Sequence, residues 1–130
     1  MRTVFILFLL AFACTIKAQE KCPPTNLYKT NFLGNGTGTG MRFPLNFIIK
    51  TDSLIIGIDT AGRNQFAAFR ILNQNCEWNE DFSEGKSVYK LMIGDLRDNK
   101  YPTLSINSSK KQPLYIELLY ENSEKGVFTQ

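Results

Sequence analysis

The 130-residue chain contains no histidine. That absence removes the side chain that titrates near neutral pH, the imidazole of Ser-His-Asp and Cys-His nucleophilic sites, and the commonest transition-metal ligand. Most hydrolytic mechanisms lose their central part, and no catalytic residues, metal or cofactor are expected. Long apolar runs are equally scarce. The longest reaches at most from Val4 to Cys14, well short of the ~20 residues a membrane-spanning helix needs, so no membrane span is expected. Tryptophan occurs once, as Trp78, and cysteine three times, as Cys14, Cys22 and Cys76. No stretch keeps an apolar stripe at helical spacing.

What the first residues do contain reads as an address. Arg2 is followed by the apolar run and by the small residues Ala11, Ala13 and Ala18, the layout of a secretory signal peptide over residues 1–18. Two cleavage points compete. A cut after Ala13 leaves Cys14 first, as in a lipid-anchored bacterial lipoprotein, but the bulky Phe12 fits such a signal poorly. A cut after Ala18 leaves Gln19 first and is favoured, which makes the protein exported, periplasmic or secreted. It also removes Arg2 and Lys17 and no acid, leaving 13 Lys+Arg against 12 Asp+Glu. The precursor's formal charge of +3 is therefore no nucleic-acid signature, and no nucleic-acid partner is expected.

The ~110 residues that remain suit one domain with a single core. Cys22 and Cys76 form an even set in an oxidising compartment, so a disulfide between them is expected. Pro23-Pro24 cannot join a central strand, so residues 19–40 read as an extended lead-in with a Gly-rich loop, and 41–130 as the β-domain. There the apolar period is two. Phe43, Leu45 and Phe47 alternate with polar or small neighbours; after Lys50–Ser53, Leu54, Ile56 and Ile58 alternate again. Asp59–Arg63 is the next turn, then come strands at Phe66–Leu72 and Val88–Ile93, the latter ended by a Gly94-Asp95 turn. Leu104 and Ile106 precede a polar turn at Asn107–Gln112. Leu114, Ile116, Leu118 and Tyr120 alternate once more, and Gly126-Val127-Phe128 closes the series. Seven or eight short strands predict an all-β, single-domain antiparallel meander, either a small lipocalin-like barrel or a β-sandwich. The only room for a short helix is Asn73–Gly85. Residues 45–59 and 104–117 share a strand, turn, strand layout, which two hairpins of one meander explain.

Candidate chemistry is thin. Glu80, Asp81 and Glu84 lie close together, as a carboxylate-dependent hydrolase would need, but in the most polar stretch of the chain, where a solvated loop is the simpler reading. They also lack the alternating spacing of a calcium loop. Gly34–Gly40 alternates glycine like a phosphate loop yet has no Gly-Lys-Ser/Thr ending, and Pro44 stands where a phosphate-binding helix should begin. A mobile loop, and a lid if it borders a cavity, is the better reading. Asn35-Gly36-Thr37 and Asn107-Ser108-Ser109 match the short glycosylation pattern.

Asn75-Cys76-Glu77-Trp78-Asn79 and, further on, Gly85-Lys86-Ser87-Val88-Tyr89-Lys90 carry a resemblance. Cys-x-Trp, a short polar connection and Gly-Lys-x-Val-Tyr-Lys are similar to an uncharacterised family of small exported bacterial β-domains. The resemblance implies a barrel or sandwich and brings no activity. Trp78 is expected to cap one end of the core beside the disulfide, with Gly85 starting the next strand; Trp78 and Tyr89 are the candidate contacts for a ligand or partner. The function expected is non-enzymatic binding of a small ligand or an envelope protein, with a structural role at the cell envelope as the alternative. Intact-mass measurement of the mature protein should give a chain starting at Gln19; a mass matching an acylated Cys14 would overturn the soluble reading.

Overall fold

A computed structural model describes residues 22–23, 27–59, 63–93, 101–122 and 124–130. The signal segment with both cleavage points and Cys14, the Gly94-Asp95 turn, and residues 60–62 of the Asp59–Arg63 turn lie outside the described residues. The described chain is all-β. Its eight strands are β1 (Leu27–Gly34), β2 (Gly40–Ile49), β3 (Ser53–Gly57), β4 (Gln65–Trp78), β5 (Gly85–Met92), β6 (Thr103–Ser108), β7 (Tyr115–Leu119) and β8 (Lys125–Thr129). Each pairs antiparallel with the next, and β1 pairs with β8, so the meander closes into a barrel. The seam is short: Phe32 opposite Thr129, Leu33 opposite Phe128 and Gly34 opposite Val127.

Register carries the alternation read in the sequence around the barrel. Tyr28 faces Phe47, Phe47 faces Ile56 and Ile56 faces Ala67. On the other side Tyr89 faces Leu104 and Leu104 faces Leu118, while Ile106 faces Ile116 and Ile116 faces Phe128. These side chains point inward and fill the interior, where Phe47, Leu54, Leu91, Leu104, Ile106 and Ile116 are fully buried. Eight strands enclose a space just wide enough for such a filling. Phe47 and Phe128 meet edge to face with centroids 4.9 Å apart. The outward positions include Lys29, Arg42, Arg70, Glu77, Lys86 and Lys90, all exposed. Apolar inside and polar outside is the reverse of the pattern a lipid-facing barrel requires. No helix among the described residues is long and apolar enough to cross a membrane.

Several expectations change at irregularities of the ladder. The lead-in holds a full strand, β1, whose alternation is hidden because a register shift between Thr30 and Phe32 moves the inward set from Tyr28 and Thr30 to Leu33. No helix forms at Asn73–Gly85. Instead β4 continues to Trp78, past a second shift between Ile71 and Asn73, after which Cys76 and Trp78 are the positions turned to the core. Ile58, expected in the core, follows the end of β3 and is 52% exposed. The glycine-rich segment is the β1–β2 turn. Gly36 and Gly38 both take φ of 86°, a conformation nearly reserved for glycine, and the side chains of Lys125 and Val127 lie against Gly36. The hairpins β2–β3 and β6–β7 are the two similar segments, as one meander requires.

The Cys22–Cys76 disulfide forms, with Cα atoms 5.1 Å apart and a sequence separation of 54. In the chain-entropy account, closing a loop of that size stabilises the fold by about 4 kcal/mol. Cutting Phe47 to alanine should cost about 3–5 kcal/mol of unfolding free energy in denaturant titrations, since it removes a ring from a filled interior; a loss below ~1 kcal/mol would mean the interior is not packed as described.

Candidate functional site

Strand direction sorts the connections onto two ends. The β2–β3, β4–β5 and β6–β7 turns, the chain before β1 and the end of β8 gather at one end; the other four connections gather at the opposite end. The disulfide belongs to the first. It joins the segment leading into β1 to the end of β4, three strands away around the barrel. There Cys76 is an inward, buried position opposite Ser87.

The side chains next to the disulfide are tied to it. The Trp78 indole Nε1–H donates to Ser87 Oγ at 2.8 Å, and that hydroxyl donates to Cys76 Sγ at 3.5 Å. Trp78 packs against the core cluster, so its structural role as a cap holds. Gly85, which opens β5, makes room for it: a Cβ there would lie 2.6 Å from both Cα and Cδ2 of Trp78. No side chain larger than hydrogen fits without moving the tryptophan.

The connection from Trp78 to Gly85 is tightly specified. Asn79 N–H donates to the Glu84 carbonyl at 3.0 Å, and Asn79 Oδ1 accepts from Glu84 N–H at 3.1 Å. Asp81 Oδ1 accepts from the Ser83 hydroxyl at 2.7 Å and from its amide at 3.2 Å; these bonds hold the Asp81 carboxyl below its ordinary pKa. Glu84 Oε1 accepts from Lys110 N–H at 3.0 Å, and Ser108 Oγ donates to the Ser83 carbonyl at 3.2 Å and to the Pro113 carbonyl. Asp81 and Glu84 are thus engaged in holding this turn and fastening it to the β6–β7 turn, while Glu80 is exposed.

Between these fastened pieces lies an open cleft of about 220 Å³, lined by Pro23, Tyr28, Trp78, Phe82, Ser108, Pro113, Leu114 and Gln130. Leu114 and the partly buried Tyr28 and Trp78 belong to or pack on the core. No side chain of the described lining carries a charge. The lining offers aromatic and prolyl surface with few free polar groups, because the Trp78 N–H and the Ser108 hydroxyl are already engaged. Burial, with a smaller contribution from nearby Tyr89, pushes the Tyr28 hydroxyl up to about 12.

Trp78 therefore sits in the cleft, but Tyr89, the other candidate contact, does not line it. Tyr89 is 4% exposed inside the core, and desolvation raises its pKa. Tyr28, Phe82 and Pro113 are not singled out by the sequence, and Leu114 reads there only as a strand position. Phe82 had a readable sign, an aromatic ring in the polar run Asn79–Glu84 where turn chemistry has no use for one. The glycine-rich turn lies at the opposite end and does not border the cleft, so it is no lid for it. Set against family models, curated proteins and solved structures, the chain matches none of them.

The protonated Tyr28 is the form the fold favours. Its contribution is fully present below the unfolded value near 10 and is lost as pH rises toward the folded value of about 12. Unfolding free energy should therefore fall across pH 10–12, and Tyr28→Phe should flatten that decline. An unchanged slope in the variant would place the Tyr28 ring in water.

Proposed function

We propose that this chain is an exported, non-enzymatic β-domain that holds a small ligand, or a group of an envelope partner, in the cleft beside its disulfide. The observation that carries this reading is the position of the cleft: the barrel interior is occupied by its own side chains, while Tyr28, Trp78 and Phe82 line an open concavity at one end. Aromatic surface of this kind supplies much of the energy in small-molecule sites. The cleft is smaller than a drug-sized pocket, so it suits one ring-sized group. Export is supported by the signal-like start and by a disulfide of the sort kept in oxidising compartments. The engagement of Asp81 and Glu84 in turn structure supports a binding rather than a catalytic role.

The likeness to small exported bacterial domains belongs to the same proposal. Four residues of that block have a structural place here: Cys76 in the disulfide, Trp78 on Ser87, Gly85 under the indole, and Tyr89 in the core. A second reading, contact through the surface, is favoured by one observation at the opposite end. Met41 and Phe66 are 61% and 56% exposed, with Phe66 edge to face on Phe43 at 5.3 Å.

Trp78, as the only tryptophan, reports on the cleft directly. Titration with uncharged ring compounds should shift its emission saturably, and the double variant Met41→Ser, Phe66→Ser should respond as wild type does. No response from Trp78, together with an association in sedimentation that the double variant abolishes, would transfer the function to the opposite end.

A further inference from the structure

The cleft contains one residue whose backbone runs against its side chain. Phe82 has φ of 56°, in the left-handed region where glycine is the default and a bulky residue is an outlier. Such a conformation is strained and persists only where the surroundings impose it. Here they do: Phe82 N–H donates to the Asn79 carbonyl at 3.3 Å, and the Asn79, Asp81, Ser83 and Glu84 bonds fix the turn on both sides. Phe82 is not part of the core cluster, so core packing does not account for a phenyl ring at a position suited to glycine. What the ring does is line the cleft, across from Pro23 and Pro113.

The lining also limits what can enter. A charged group would be desolvated among Pro23, Tyr28, Trp78, Phe82, Pro113 and Leu114 with no opposite charge on a described lining side chain to meet it. A sugar would bring several hydroxyls to a site whose Trp78 N–H and Ser108 hydroxyl are spent within the protein, which leaves the Gln130 amide and the Tyr28 hydroxyl as its polar side chains. The Tyr28 hydroxyl donates no hydrogen bond to any described residue, and its raised pKa keeps it protonated. Among the described residues it is a donor without an acceptor.

Building on the cleft as the binding site, we propose that Phe82 is a ligand-contact residue kept at the expense of fold stability. Its ligand is a neutral ring compound of about ten non-hydrogen atoms bearing one hydrogen-bond acceptor, which takes the Tyr28 hydroxyl. Wild type and the variants Phe82→Gly and Tyr28→Phe should be titrated with four probes: acetophenone, ethylbenzene, benzoate and trimethylphenylammonium. Binding is read from the Trp78 indole N–H resonance, and thermal midpoints are taken for each protein.

Acetophenone should bind best. Phe82→Gly should unfold at or above the wild-type temperature while binding acetophenone at least about tenfold more weakly. Tyr28→Phe should weaken acetophenone about two- to tenfold and leave ethylbenzene unchanged, the mark of one lost hydrogen bond. A lower midpoint for Phe82→Gly with unchanged affinity would make Phe82 a structural residue. Preference for benzoate or trimethylphenylammonium would overturn the ligand class and leave the cleft as the site. Failure of all four probes to move the Trp78 resonance would overturn the site as well.

Discussion

Cys22 and Cys76 hold together two parts of the chain that the sheet alone would leave apart. Cys76 occupies an inward position near the end of β4, and Cys22 precedes β1, three strands away around the barrel. Pro23 follows one cysteine and Trp78 the other by two residues, so the bond sets a wall of the cleft on each side. The same sulfur accepts from Ser87, whose hydroxyl orients the Trp78 indole. A covalent tie, a buried hydroxyl and a ring thus form one connected unit. The hydrogen bonds from Ser108 and Lys110 to the β4–β5 turn extend it to the other wall.

A filled barrel leaves binding to its ends and its outer surface. With Phe47, Leu91, Ile106 and their neighbours occupying the interior, the concavities open to a visitor lie at the connections, as in the cleft at Trp78, and on strand faces, as beside Phe32 and Arg42 and beside Phe69 and Arg70. Backbone geometry departs from the pleat most clearly in the β4–β5 turn. Its polar side chains satisfy one another and its backbone, and the residue they hold in the least favourable conformation is the one that presents an aromatic ring. In this architecture the strands supply stability, and the recognition proposed above rests on the end connections.

Much of the barrel was legible because inward and outward positions alternate strictly where the ladder is regular. Leu45 and Phe47, Leu54 and Ile56, and Ile116 and Leu118 read directly as strand interiors. The reading lapsed where one extra residue shifts the pairing, in β2 opposite Thr30–Phe32 of β1 and in β4 at Ile71–Asn73, since a shift by one exchanges the two faces. The disulfide and the capping role of Trp78 followed from residue identity and spacing. The cleft itself did not. Pro23, Tyr28, Phe82 and Pro113 lie on four separate segments, and only the return of the chain to one end of the barrel brings them together. Barrel as against sandwich was likewise undecided until the β1–β8 seam, because three residue pairs between the two ends of the domain leave no local trace.

The most direct test is diffraction from crystals of the oxidised protein soaked in a mixture of uncharged ring compounds. The account predicts added density between Tyr28, Trp78 and Phe82, with Phe47, Leu91 and Ile106 undisplaced. Density inside the barrel among those core residues, or at the exposed Met41 and Phe66 end with the cleft empty, would contradict it.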